Sequence, residues 1–524
     1  MKKIFFLFLL SCSGLCYGQI PFEKIYTLPG YALSGEKVIQ DNDGNYMILA
    51  NAWPGGSMNS GCLTKTDSLG NVLWAKLYTE LYYEEIYFNH FVQTPDNSYL
   101  ISGRASHTTS GRLLMMKVDS SGNILWSNCY GQGINSQNTG WCVQVLSDGD
   151  YLLGGAVGAG DMYLVKTDTA GNTLWSKTLG TGGYENAIGI DVAANGNFVV
   201  MGGEDIIGTT VAEFDNSGNL VWNKTYSLQN SYGLTQWAIE KCPDNGFAHV
   251  GVWHSDTSAV FWPYLLKSDS SGNLLWCKIY TQTVLPAMVG EFFDLRITSD
   301  GGFILTWEPE YPCQYCRTGL IKTDSFGNIE WAKNYTLNSY TFPGSAIQTS
   351  DSGYAIVGNN YSSNPRGIHF LKTAINGDTD CYDSTLIVVP VNVPVTVSTN
   401  GNIGTGHILN IFNPIATAVS VLDTNSCMLS SLSEPEIQNQ TSGIKIFPNP
   451  AHQNITIEAQ DLTSKKVEIK ITDMLGQVLL ISQENTFGGG NLFATINIEN
   501  IASGIYFVIV SSGENNFCRK LIIE

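Results

Sequence analysis

The chain has 524 residues, a formal net charge of -19 and only 14% charged residues, against 54 glycines and a 43% apolar fraction. That length allows about three or four domains, or one repeat array with a large core. The apolar and glycine content excludes a disordered polyelectrolyte, and the acidic balance excludes a nucleic-acid role, which needs a basic surface to displace counterions.

In chain order, the first segment pairs Lys2 and Lys3 with the apolar run Ile4 to Leu10 and then small residues to Gly18. This is the layout of a secretory signal peptide read by the Sec translocon, with cleavage after Gly18, and the run is too short to span a bilayer. Lipidation at Cys12 is the competing reading, although Leu10 beside Ser11 fits such a site poorly. No later segment offers 18 uninterrupted apolar residues, so no transmembrane segment is expected in the mature chain. Of the 12 cysteines, those beyond the leader lie in a chain bound for an oxidising compartment, so some are expected to pair. Cys381 with Cys427 is the preferred bridge. Cys313 and Cys316 have redox or zinc spacing, but no second pair or nearby histidine completes a metal set.

From residue 19 onward a repeat dominates. One element runs Lys65–Tyr78, Lys117–Tyr130, Lys166–Leu179, Glu213–Tyr226, Lys267–Tyr280 and Lys322–Tyr335, each with an Asp-x-x-Gly-Asn turn followed by Trp-x-x-x-Tyr or a close variant. A seventh copy begins at Lys372 and then loses its Trp strand. The second element, a polar Asp/Asn/Gly turn and a short strand, occurs seven times, at Asp41, Pro95, Ser147, Ala194, Pro243, Ser299 and Ser350. Asp and Ser bond their own backbone in such turns and Gly accepts the left-handed conformation, so both elements are hairpins. Four strands per repeat of about 50 residues predict a seven-bladed β-propeller over 19–380, which removes sheet edges by radial packing. Phe22 to Tyr26 has the pattern of the missing seventh Trp strand and is expected to complete the last blade. The repeated tryptophans are expected to pack between neighbours.

The Gly-Asn-x-x-Trp hairpin resembles the repeats of pyrroloquinoline-quinone propellers, although Gly follows Asp by three residues here, one fewer than in that motif. The resemblance implies fold and no cofactor, since adjacent cysteines of the kind used at the quinone are absent.

Residues 381–442 read as a β-rich spacer and linker, low in charge and rich in Val, Thr and Asn. Residues 443–524 read as a small β-sandwich of alternating strands and Gly turns, making the whole chain all-β. Phe447-Pro-Asn-Pro450, Asp473 to Gln477, Gly504-Ile-Tyr-Phe507 and the basic-apolar end Arg519 to Ile523 closely resemble the type A C-terminal sorting domain of type IX secretion cargo of the Bacteroidetes. The resemblance assigns sorting marks to Pro448, Asn449, Pro450, Gly476, Gly504, Tyr506 and Lys520. It implies the type IX machinery as partner and release or attachment outside the cell.

Chemistry is sparse. The chain has no G-x-S-x-G elbow, Walker loop, G-x-G-x-x-G after a strand or H-E-x-x-H. Asp41, Asp43 and Asn45 have calcium-loop spacing but occupy a repeat turn, so no metal or other cofactor is expected. The two sets of loops differ, and the variable set carries Trp53, Trp253, Trp262 and Trp307, with Tyr82, Tyr83 and Glu84 on the opening connection. His254, Glu308 and Tyr311 lie beside them. Aromatic rings near carboxylates on variable loops predict a binding face for an extracellular glycan or protein. The alternative is a propeller hydrolase, lyase or oxidoreductase, which requires two or three carboxylates, or a histidine with a carboxylate, at one mouth of the channel.

Overall fold

The structure is a computed structural model. It describes residues 21–55, 59–79, 85–107, 110–131, 138–157, 161–180, 186–204, 208–228, 231–255, 261–282, 289–311, 318–335, 341–361, 366–379, 383–385, 388–399, 402–405, 409–411, 415–419, 421–428, 445–459, 466–472, 478–486, 491–502, 504–512 and 515–523. The expected signal peptide, Cys313, Cys316, Cys381 and residues 429–444 lie outside the described residues, as does the side chain of Cys427. All regular structure among the described residues is β, in many small antiparallel sheets, and the chain divides into units of 1–429 and 430–524. Among the described residues no helix is long and apolar enough to cross a membrane.

Among the described residues the first unit contains seven five-stranded sheets. Four strands of the first sheet are consecutive: Ala32–Gln40, Tyr46–Trp53, Ser60–Thr66 and Val72–Thr79. Five further sheets repeat that plan. In the seventh, the fourth position is filled from the start of the chain: Phe22–Thr27 pairs antiparallel with Gly367–Thr373, with Phe22 opposite Lys372 and Tyr26 opposite Ile368. This is the pairing the sequence predicts. First strands of successive sheets touch in order, and that of the seventh touches that of the first.

The joints between neighbouring sheets explain the repeated residues. In the Asp-x-x-Gly-Asn turn, the Asp67 carboxylate accepts from the Leu69 and Asn71 backbone N–H and from the Asn71 amide, and Gly70 sits at φ +75°. The preceding Trp, Lys and Tyr all land on the next such turn. At Gly122 a β-carbon would stand 2.7 Å from the Trp74 ring, Lys76 donates to the Asn123 side chain at 2.7 Å, and the Tyr78 hydroxyl donates to the Gly122 carbonyl at 2.7 Å. The tyrosine bond recurs from Tyr26, Tyr130, Tyr226, Tyr280 and Tyr335 at 2.6–2.9 Å. In the closing strand Phe22 takes the place of Trp against Gly70, and Lys24 donates to Asn71 at 2.8 Å.

A second joint lies inside each sheet. The lysine that opens the third-to-fourth-strand turn reaches an aspartate of the first-to-second-strand turn, from Lys65–Asp41 to Lys372–Asp351, at 2.5–3.0 Å. The fourth sheet inverts the chemistry: Glu213 replaces the lysine and accepts from the amides of Asn195 and Asn197 at 2.8 and 2.6 Å. Asp41 is committed to this pair and to its own turn, where it accepts from the Asp43 and Asn45 backbone. Its spacing is therefore explained by turn structure. Cys62, Cys142, Cys242 and Cys277 are buried free thiols, and Cys129 is buried in the same class of position, so these side chains pack within the sheets.

The stretch read as a spacer supplies the fifth strand of every sheet. Asp383–Thr385, Val388–Asn392, Val395–Ser398, Asn402–Thr405, Leu409–Ile411 and Ile415–Val419 pair with the fourth strands of the sixth, fifth, fourth, third, second and first sheets in turn. Leu422–Met428 then pairs with Phe22–Thr27 of the seventh. This segment covers seven outer edges that would otherwise expose unpaired backbone.

In the second unit, a three-stranded sheet (Lys445–Phe447, Asn454–Ala459, Leu492–Asn497) and a four-stranded sheet (Lys466–Thr472, Val478–Asn485, Gly504–Ser512, Asn515–Ile523) share one core, including Ile455, Ile457, Ile469, Val508 and Leu521. The Asn449 side chain accepts from the Ile522 backbone at 2.8 Å, which ties the Pro-Asn-Pro segment to the last strand. Tyr506 donates to the Ala502 carbonyl at 2.7 Å. Gly476 and the Lys520 side chain lie outside the described residues.

Candidate functional site

The seven first strands surround a channel of about 1060 Å³. Each pairs with its second strand through a register shift at one common level, where a single residue is left without a cross-strand partner. Those residues are Glu36, Asn89, Trp141, Ile188, Trp237, Phe293 and Gly344, and all line the channel. A bulge re-aims a side chain that regular pairing would place on one face or the other. Here it happens seven times with six different residue types, including three aromatic side chains.

Toward the strand starts, one oxygen of Glu36 accepts from Ser34 at 2.9 Å, Asn51 at 3.2 Å and the Tyr87 hydroxyl at 3.1 Å. Burial pushes its pKa above the ordinary carboxylate range despite these donors. The Trp53 and Tyr87 rings lie 6.2 Å apart nearby, and Trp237 and Phe293 lie 5.3 Å apart. Trp141 is exposed into the channel.

Three residues beyond the bulges the lining divides into Ile347, Ile39 and Val92 on one arc, and Gln144, Asp191, Glu240 and Arg296 on the other. This deeper layer gathers carboxylates, the arrangement the enzyme alternative requires, yet each has a structural partner. Arg296 pairs with Glu240 and reaches Asp294 at 3.8 Å, Lys37 pairs with Asp294 at 2.8 Å, and Asp191 accepts from the Lys241 backbone at 2.6 Å. Burial pushes Glu240 up to about 7, with Arg296 opposing and the neighbouring Asp191 and Asp294 adding to the rise. His90 is held well below the usual imidazole range by burial, then by Lys37 and Arg296. Among the described residues no cluster of three metal-ligating side chains occurs.

The aromatic residues expected on loops are distributed differently. Trp53, Trp253, Trp262 and Trp307 all fall on strands, which extend further than their turn signals imply. Trp307 is 2% exposed and packs in a core with Phe292. Trp253 and Trp262 sit directly opposite each other on paired strands, half-buried against a core shared with Tyr226 and Tyr264. Glu308 is buried opposite Glu291, and burial plus that neighbour push it up to about 8. His254 shares a 2.9 Å hydrogen bond with Thr235, a channel-lining residue. Trp53 reaches the channel mouth. Tyr82, Tyr83, Glu84 and the Tyr311 side chain lie outside the described residues.

Sequence reasoning missed Glu36, Tyr87, Trp141, Trp237, Phe293 and Tyr361. One signal could have found the bulge ring: its members stand five residues before the residue that opens each first turn, as Glu36 does before Asp41 and Trp237 before Cys242.

Residues 445–524 match the family model described as the secretion system C-terminal sorting domain. Among curated proteins no sequence matches the chain. Solved structures similar to it include PorZ, a bacterial surface component of the type IX secretion system of Porphyromonas gingivalis, at 10% identity over 92% of this chain and 68% of that one, with a TM-score of 0.42. A hypothetical protein from Leishmania major follows at 12% identity, over 60% and 93% of the two chains, with a TM-score of 0.25. A tetra-tandem repeat of a large adhesion protein shares 13% identity over 94% and 99%, with a TM-score of 0.14. The matched sorting domain marks the chain as type IX secretion cargo, released outside the cell or attached at its surface.

Proposed function

We propose that the first unit is a seven-bladed β-propeller whose central channel binds a glycan end outside the cell. The observation that carries this reading is the bulge ring. Seven backbones of one geometry turn Glu36, Asn89, Trp141, Ile188, Trp237, Phe293 and Gly344 toward one space of about 1060 Å³. Uniform joints need uniform side chains; a ligand with different faces needs different ones. Aromatic faces beside a carboxylate and an amide suit a sugar, whose C–H faces stack while its hydroxyls take directed hydrogen bonds. A channel also favours a narrow ligand over the flat face of a folded protein.

The test is a glycan-array screen of the exported protein, followed by calorimetry with the hits. Replacing Trp141 and Trp237 together with Ala should abolish binding while the circular dichroism spectrum persists. Full binding by the folded double variant would remove the channel as the site.

A second reading, a glycan hydrolase or lyase, draws on one observation: Glu240, pushed up to about 7, faces the same channel near Asp191. A group with that pKa can give or take a proton near neutral pH. Cleavage of an array-positive oligosaccharide, lost in Glu240→Gln, would favour it.

A further inference from the structure

At the channel mouth a side alcove of about 310 Å³ opens between the first and seventh sheets, sharing Ser34, Trp53, Asn359 and Tyr361 with the channel wall. We propose that this alcove is a subsite for a carboxylate-bearing sugar residue, with Arg366 as the carboxylate receptor and Trp53 as the ring platform. The inference rests on the channel-binding reading and names the chemical class of its ligand.

Arg366 carries the argument. Its guanidinium carbon stacks 4.6 Å from the centre of the Tyr361 ring, and Phe342 meets that ring edge-on at 5.4 Å. The Arg366 backbone carbonyl accepts from the Leu33 N–H at 2.9 Å, so the residue is anchored at its root as well as at its head. A guanidinium carbon seated over a ring leaves N–H groups at the edges of the guanidinium plane, and that planar fork matches the two oxygens of a carboxylate. The side chain is exposed, and among the described residues it makes no ion pair. The deeper cations differ: Lys37 and Arg296 are both spent on carboxylates of the wall.

The remaining walls fit a sugar ring. Trp53 stands half-buried on one side, with Tyr87 6.2 Å behind it. Asn359, which lines the alcove, is fixed by accepting from the Gly35 N–H at 2.7 Å. The volume suits one monosaccharide rather than an oligomer. A chain with formal charge -19 repels anionic polymers at a distance, so an ordered cation at the mouth supplies the local attraction such a ligand needs.

The experiment uses the mature full chain and calorimetry with oligosaccharides of galacturonate, glucuronate, mannuronate and guluronate, each beside its methyl ester and a sulfated neutral analogue. At least one acid should bind about tenfold more tightly than its ester, the size expected for one charge-assisted bidentate contact. Arg366→Gln should erase that difference by weakening the acid far more than the ester; Arg366→Lys, which keeps charge without the fork, should restore only part. Equal binding of acid and ester by the parent protein, a difference that survives in Arg366→Gln, preference for the sulfated analogue, or no binding of any uronate would each overturn the proposal. The two readings separate cleanly. If Trp141→Ala/Trp237→Ala abolishes acid and ester alike while Arg366→Gln changes nothing, the channel stands and the alcove falls. If the acid preference depends on Arg366 and ignores the double variant, the alcove stands and the channel falls.

Discussion

The outer joints and the inner wall of the first unit use the same repeat in opposite ways. At the joints a Trp, Lys and Tyr meet a Gly and Asn with nearly constant partners and distances, and even the substitute strand from the chain start keeps the pattern with Phe22 for Trp. At the wall the backbone repeats its bulge seven times while the side chains change from glycine to tryptophan. Constancy of residue at a fixed place marks a load shared equally by the sheets. Change of residue at a fixed place marks a surface that answers to something outside the fold. The third sheet shows how far a joint tolerates departure: Leu179 stands where the others have Tyr, and Trp175 keeps the bond to the next turn, donating to the Asn216 carbonyl at 3.1 Å as Trp126 does to Thr169.

The comparison breaks most visibly at the closing strand. A chain beginning at Leu28 loses the strand bonded on both sides in the seventh sheet, and its melting temperature should fall by more than about 10 °C in calorimetry. An unchanged melting temperature would mean the sheets hold together without it. Next comes Gly122→Ala, which places a β-carbon against Trp74 at φ +74° and should cost about 2 kcal/mol in denaturant unfolding. Tyr226→Phe, removing one buried bond to the Gly272 carbonyl, should cost about 1 kcal/mol.

Glu308 sharpens the contrast through pH. Its folded pKa of about 8 lies above the ordinary 4.5, so the folded form holds the proton more tightly and stability falls as pH rises through that window. Glu308→Gln should therefore melt a few degrees higher than the parent protein at pH 9 and show little of that gain at pH 4. Equal differences at both pH values would mean that the carboxyl is not the cause. The smallest effect on stability belongs to the wall: Trp141→Ala should change unfolding by no more than about 0.5 kcal/mol, since the ring is 38% exposed.

What could be read beforehand follows the same division. The hairpins, the closing strand and the sorting marks repeat or match in local sequence, and turns are built from neighbours, so Asp, Gly and Asn report them. The edge strands of residues 383–428 could not be placed, because they are three to seven residues long and their partners lie up to about 400 residues away. The bulge ring escaped because its members share a position and no residue type. Trp307 misled because an aromatic near a variable loop looks the same whether the strand stops before it or, as here, continues past it and buries it.

The edge segment also sets how the first unit answers to force. Its last strand lies beside its first, with Phe22 opposite Met428 and Thr27 opposite Leu422. Tension drawn outward through those two ends would load the hydrogen bonds of this antiparallel pair one after another, as in a zipper, instead of all together. The edge strand would peel first, while Phe22–Thr27 keeps its second partner, Gly367–Thr373, on the other side. A molecule tethered outside a cell and dragged by flow could thus give up length at its margin before its channel is disturbed.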